Sequence, residues 1–228
     1  MKLVTLAGPP SSGKTAVTIK AIAALQRSGV SVGVVKFDGI STQDQTLYEK
    51  QGVPVTTGLS GNLCPDHFFV SNVGDCLTWG MDNGFDLLII ESAGLCNRCA
   101  PHIQGVLALC VIDNLSGVDT PKKIGPMLKM ADVVVITKGD IVSQAEREVF
   151  AYRVRQVNTA AVILQVNGLT GQGGHELGSL MLNAPDTVDL EGKLLRFSMP
   201  AALCSYCLGQ RKIGSDFQMG NVKKMVFS

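Results

Sequence analysis

Residues 8–15 read Gly8-Pro9-Pro10-Ser11-Ser12-Gly13-Lys14-Thr15, which has the spacing G-x-x-x-x-G-K-[ST]. The apolar run 3–7 precedes it and a helical pattern from 16 to 25 follows it. Strand, glycine-rich loop and helix in that order predict a phosphate-binding loop. Successive backbone N–H groups curl around the anion, and the positive end of the following helix adds to the field. Gly8, Pro9, Ser11, Ser12 and Gly13 are the expected cradle. Lys14 is expected to reach the β- and γ-phosphates, and the Thr15 hydroxyl to ligate Mg²⁺. The motif therefore predicts binding of a nucleoside triphosphate.

Working outward, apolar runs alternate with helical patterns. Strands are predicted at 3–7, 32–37, 53–57, 87–91, 106–113, 133–137 and 161–166, several as continuous Val/Ile/Leu stretches suited to burial on both faces. Helices are predicted at 15–28, 42–51, 66–83, 121–130, 143–156 and 173–183, with Ser143 and Glu146 placed as a capping box. The alternation implies an α/β fold: a mostly parallel, doubly wound sheet flanked by helices. Residues 1–184 read as the nucleotide-binding domain. Residues 185–228, with less periodicity, read as a cysteine-containing appendage packed on or extending that domain.

At 228 residues and 46% apolar composition, the chain can bury a sizeable core. A net charge of +1 gives no reason to expect nucleic acid or an anionic membrane as partner. No apolar run reaches the ~20 residues of a bilayer span, and the opening residues lack a signal-peptide pattern. Seven cysteines in such a chain point to the cytoplasm, where thiols stay reduced and open to metals.

In a doubly wound sheet, ligands sit at the carboxyl ends of the strands. Asp38 follows one strand, and Glu91 ends another and leads into Ser92-Ala93-Gly94. A carboxylate at these places can hold Mg²⁺ or orient the attacking water, and the Gly94 amide can meet the γ-phosphate. Asp38 and Glu91 join Lys14 as candidate catalytic groups, and both join Thr15 as candidate Mg²⁺ ligands. Thr137-Lys138-Gly139-Asp140 closes a further strand. Asp140 there can accept from both N1 and N2 of guanine, donors that adenine lacks. Asn167, at the end of the next strand, could back the same base.

Together these segments resemble the metal-insertion GTPases of nickel hydrogenase and urease maturation, members of the SIMIBI class of P-loop NTPases. The resemblance runs from about residue 3 to 183. Residues 38–44 and 52–57 resemble the family's first switch and the strand after it, Glu91-Ser-Ala-Gly94 its E-x-x-G switch, and Thr137-Lys-Gly-Asp140 its N-K-x-D guanine motif. Thr137 stands where Asn is usual, and the chain has only three histidines, so a histidine-rich metal store is missing. The resemblance implies a homodimeric, Mg²⁺-dependent GTPase that handles a metal for a client metalloenzyme or its maturation factors. ATP remains an alternative nucleotide. An ATP-driven iron–sulfur electron-transfer protein and a nucleotide-switched metal carrier without turnover stay open as other readings.

Three cysteine segments bear on the metal. Cys64-Pro65-Asp66-His67 resembles the Cys-Pro-His site of urease-type members, with one extra residue before His67. Cys96-Asn-Arg-Cys99 follows the Glu91–Gly94 segment, with His102 shortly beyond, and Cys204-Ser-Tyr-Cys207 is a second C-x-x-C. Thiolate and imidazole suit Zn²⁺ or Ni²⁺, and paired cysteines can hold zinc or an iron–sulfur cluster. Two ligands from each subunit of a symmetric dimer would complete a four-ligand site.

Overall fold

The structure, a computed structural model, describes residues 1–197 and 209–227. Among these, seven strands form one sheet: β1 (Lys2–Ala7), β2 (Val32–Asp38), β3 (Val55–Leu59), β4 (Leu87–Glu91), β5 (Leu107–Asp113), β6 (Val133–Thr137) and β7 (Val162–Gln165). The spatial order is β3-β2-β4-β1-β5-β6-β7, and every neighbouring pair is parallel. The helices are α1 (Lys14–Arg27), α2 (Asp44–Glu49), α3 (Pro65–Asp82), α4 (Thr120–Lys123), α5 (Pro126–Lys129), α6 (Gln144–Val157) and α7 (Gly174–Leu182).

Alternation along each strand sends side chains to two separate cores. Val4, Leu6, Val34, Ile89 and Val111 meet Val17, Ala21 and Ile22 of α1 and Leu177 and Met181 of α7. On the other face, Leu3, Val35, Phe37, Leu88 and Ile90 meet Phe68, Phe69, Val73 and Leu77 of α3. Further along that face, Cys110, Ile112, Val134 and Ile136 meet α5 and α6 through Met127, Leu128, Phe150 and Val154. Burial on both faces is why the central strands read as unbroken apolar runs.

The element boundaries differ from expectation in one informative place. The helix expected over 121–130 is two short helices, because Gly125 takes φ 58 and Pro126 has no N–H to continue the first. A Cβ at Gly125 would lie 2.6 Å from the Asn97 carbonyl oxygen, so the break seats the loop that carries Cys96 and Cys99. The third strand sits two residues later than expected, starting after Pro54. The Ser143–Glu146 capping box is present in both directions.

Described residues after Leu182 pack on the α3 side of the sheet. Leu190, Leu195 and Met225 enter the core there. Arg196 forms a fork onto Asp132, with both N–O distances 2.7 Å, and donates to the Ile103, Val106 and Met130 carbonyls. Asn72 of α3 donates to the Lys223 carbonyl and accepts from the Met225 N–H. Among the described residues, no helix is long and apolar enough to cross a membrane.

Candidate functional site

The carboxyl ends of β1, β2 and β4 and the start of α1 enclose a cleft of about 400 Å³ lined by Ser11, Gly13, Lys14, Thr15, Lys36, Asp38, Asp44, Glu91 and Ala93. The structure thus gathers Lys14, Thr15, Asp38 and Glu91 into one site. Lys14 Nζ lies back over the loop, 3.0 Å from both the Gly8 and Pro9 carbonyl oxygens. Burial lowers its pKa, with Lys36 adding to the effect and Glu91 opposing it.

Glu91 is fully buried and accepts from three side chains. Thr15 Oγ1 donates at 3.1 Å, Lys36 Nζ at 2.7 Å and the Tyr48 hydroxyl at 2.7 Å. Lys36 Nζ also lies 2.7 Å from Asp44 Oδ2, so one ammonium ties the end of β4 to the start of α2. Burial works against the Lys36 charge, but Glu91 and Asp44 outweigh it and raise its pKa. Burial and the Glu91 charge push the Tyr48 phenol well above its usual value, which keeps it a donor. Lys36 and Tyr48 are the residues that sequence reasoning missed. Lys36 is a lysine inside a buried strand, and the β2–β4 register sets it opposite Glu91.

Gly94 links this cleft to the cysteine-bearing loop after β4. A Cβ there would sit 1.8 Å from the Gly8 carbonyl oxygen, and its φ is 71, so only glycine lets the chain press against the phosphate loop. Thr15, Asp38 and Glu91 supply a hydroxyl and two carboxylates, a hard oxygen set suited to Mg²⁺ beside a triphosphate.

Asp140 and Asn167 come together in a second pocket of about 110 Å³, with Gly139, Arg147, Gln165, Val166 and Gln172. The Asn167 side-chain oxygen accepts from the N–H groups of Leu169 and Thr170, so it shapes the loop beside Asp140. Thr137 and Lys138 face the phosphate loop instead. Thr137 Oγ1 donates to the Ser12 carbonyl at 2.6 Å, and Lys138 Nζ donates to the Ser11 carbonyl at 2.8 Å. They brace the 137–140 loop against the 8–15 loop.

The cysteines form a third group. Asp66, Cys96 and Cys99 each place one ligand atom within 4.8 Å of the others. Burial pushes the Asp66 carboxyl up to about 6, partly offset by a hydrogen bond with Cys99. Burial, with the charges of Asp66, Cys96 and Cys64 close by, also raises the Cys99 thiol. Cys64 caps the start of α3 beside this group. His67 is turned to the C-terminal segment, with Nε2 3.3 Å from the Asn221 carbonyl oxygen. Cys204 and Cys207 lie outside the described residues. Cys76 and Cys110 are buried packing residues.

His102 is fully buried, and its ring bridges β1 to α5: Nδ1 lies 3.1 Å from Thr5 Oγ1, and Nε2 3.0 Å from the Met127 carbonyl oxygen. A carbonyl can only accept, so Nε2 carries the proton and Nδ1 accepts from Thr5. Burial lowers the His102 pKa to about 4. Because the folded value lies below the unfolded ~6.5, the stabilisation is present above pH 6.5 and is lost as pH falls toward 4. Between pH 7 and 5, His102 should cost the wild type about 2 kcal/mol relative to His102→Gln, read from urea unfolding of both proteins. Asp66 titrates in the opposite direction in both and cancels. Equal pH dependence of the two proteins would contradict a neutral buried His102.

Comparison with known proteins gives these sites a context. Residues 2–165 match the family model described as CobW/HypB/UreG, nucleotide-binding domain. The uncharacterized protein MJ0120 of Methanocaldococcus jannaschii is 46% identical over 225 residues, which cover 99% of this chain and 96% of the relative. The urease accessory protein UreG 2 of a Bradyrhizobium species is 29% identical over 150 residues, covering 60% of this chain and 69% of that protein. The crystal structure of HypB from Helicobacter pylori in complex with nickel shares the fold, with a TM-score of 0.64 at 20% identity, covering 82% of this chain and 90% of that one.

Proposed function

Because the chain belongs to the CobW/HypB/UreG family of SIMIBI-class P-loop NTPases, we propose that it is a Mg²⁺-dependent GTPase that uses its nucleotide cycle to load and release a metal during metalloenzyme assembly. The observation that carries this reading is one continuous segment: Glu91 at the Mg²⁺ end, Gly94 pressed on the phosphate loop, and Cys96 and Cys99 directly beyond. A γ-phosphate entering between Lys14 and Gly94 must displace that segment, and the cysteines move with it.

Thr15 and Asp38 would hold the cation, which supplies neutralisation of the β- and γ-oxygens. Thr15 can hold the cation while still donating its proton to Glu91, because the hydroxyl oxygen keeps its lone pairs. Lys14 then swings from the Gly8 and Pro9 carbonyls onto the phosphates, and Glu91, still clamped by Lys36 and Tyr48, orients water or the cation's shell. Nickel, named for the HypB relative, is the metal the family context favours, with zinc an alternative cargo. A second copy of the chain is the expected partner, and exposed Ile40, Leu47 and Leu95 around the cleft support a face that closes on it. The client enzyme or its maturation factors would receive the metal.

Guanine preference gives the test. Steady-state turnover should depend on Mg²⁺ and favour GTP over ATP, and Asp140→Ala should lower kcat/KM for GTP about 10–100-fold while leaving ATP unchanged. Equal use of both nucleotides by the wild type, or no Mg²⁺-dependent turnover, would overturn the GTPase reading.

A further inference from the structure

Lys36 is a charged residue in the middle of a buried strand. Its neighbours Val35 and Phe37 face α3, so alternation along β2 turns Lys36 to the α1 side with Val34. There it is 3% exposed and lines the cleft together with Lys14, Thr15, Asp38 and Glu91. Burying an ammonium is costly unless its protons are taken up. Lysine carries three N–H donors. Glu91 Oε1 and Asp44 Oδ2 take two of them, each at 2.7 Å. Among the described residues these are its only bonded partners, which leaves the third N–H for whatever enters the cleft.

Lys14 and Lys36 are the two cationic side chains that line this cleft. They are close enough for the Lys36 charge to be felt at Lys14, where it adds to burial in lowering the pKa. Two like charges in a poorly hydrated cleft repel, and an anion seated beside both relieves the repulsion.

We infer that Lys36 is a catalytic residue of the triphosphate cleft: held by Glu91 and Asp44, it donates its third N–H to an oxygen of the γ-phosphate, as a second cation beside Lys14. In the hydrolysis it serves, a water oxygen bonds to the γ-phosphorus and the bond to the bridging oxygen breaks. The products are the nucleoside diphosphate, inorganic phosphate and a proton. Lys36 keeps its own protons throughout, and its charge offsets the negative charge on the γ-oxygens. Burial works against that charge, but Glu91 and Asp44 outweigh it, so the side chain stays an ammonium.

The strand makes this cation rigid. β2 is paired with β3 on one side and β4 on the other, so Lys36 is in place before the nucleotide arrives. A preorganised charge needs no rearrangement at the moment of reaction. The contact also forms within one chain, without a residue from a partner. A purely structural role, as a tie between β4 and α2, predicts different binding. The inference rests on the cleft being a triphosphate site, and it is independent of guanine preference and of any metal cargo.

The test measures affinities of the full-length protein for GDP and for a non-hydrolysable GTP analogue, in excess chelator so that Mg²⁺ plays no part. Lys36→Gln should weaken the analogue about tenfold or more while GDP stays within about twofold, because the analogue alone carries the γ-phosphate. Lys36→Gln also removes the counter-charge of the buried Glu91 carboxyl. The same two affinities are therefore measured for Glu91→Gln and for Lys36→Gln/Glu91→Gln, in which no fully buried carboxylate is orphaned. Adding Lys36→Gln to Glu91→Gln should again cost the analogue about tenfold, since a direct contact does not act through Glu91. Equal weakening of both nucleotides by Lys36→Gln, or no further loss in the double variant, would overturn the assignment and leave Lys36 a structural tie. ADP and an ATP analogue are measured alongside. A γ-phosphate effect that is the same with adenine and guanine supports Lys36 even where the preference for GTP fails.

Discussion

Lys14→Ala is expected to lower GTP turnover by about 10²–10³-fold at saturating nucleotide, with the fold intact. The lysine belongs to the phosphate loop itself, anchored by the Gly8 and Pro9 carbonyls and shielded from water. A preorganised charge in a water-poor site contributes most where negative charge develops on the transferring phosphoryl group, and removing one such donor costs about 10²–10³ in rate. Stability should change little, because the lost attraction to Glu91 is offset by relief of the burial cost of the ammonium and of its repulsion with Lys36. Single-turnover hydrolysis and a urea midpoint, measured on the same preparations, separate the two effects. Turnover equal to wild type would remove Lys14 from the mechanism.

Lys36→Met carries the largest expected cost in stability, about 3–5 kcal/mol. It would leave the wholly buried Glu91 carboxyl without its ammonium partner, supported only by the Thr15 and Tyr48 hydroxyls, while Asp44 loses its partner. Breaking one side of a buried pair costs more than the pair contributes, because the orphaned charge keeps its desolvation penalty. Adding Glu91→Gln should therefore recover a large part of the loss in the double variant. Urea unfolding of the four proteins measures the coupling, and a loss below about 1 kcal/mol for Lys36→Met would show that water reaches Glu91.

The fold was legible because its signals are local. Residues 8–15 fix a strand, a loop and a helix at once, and the Val/Ile/Leu runs of β4, β5 and β6 announce burial on both faces. The break at Gly125-Pro126 was missed because apolar spacing continues across it, although Pro126 and the left-handed Gly125 forbid one helix. In the phosphate cleft, Lys14, Thr15, Asp38 and Glu91 were readable from strand ends.

Lys36 and Tyr48 were not, since their partner Glu91 is distant in sequence and only the β2–β4 register joins it to Lys36. Asp66 read as a spacer between Cys64 and His67. Helical geometry decides otherwise, by turning Asp66 toward Cys96 and Cys99 and His67 toward Asn221. Thr137 is a similar case. It stands where the guanine motif usually has Asn, and its hydroxyl holds the Ser12 carbonyl, so its value lies in fixing the 8–15 loop.

The proposed coupling between nucleotide and metal rests on the short path from Gly94, against Gly8, to Cys96 and Cys99. It is tested most directly by Zn²⁺ affinity of the full-length protein in two states, with Mg²⁺-GDP and with a Mg²⁺-bound non-hydrolysable GTP analogue. The account predicts dissociation constants that differ by about tenfold or more, a coupling of ~1.4 kcal/mol. Reciprocity requires that Zn²⁺ shift the preference between GDP and the analogue by the same factor. Equal Zn²⁺ affinity in the two states would contradict the account.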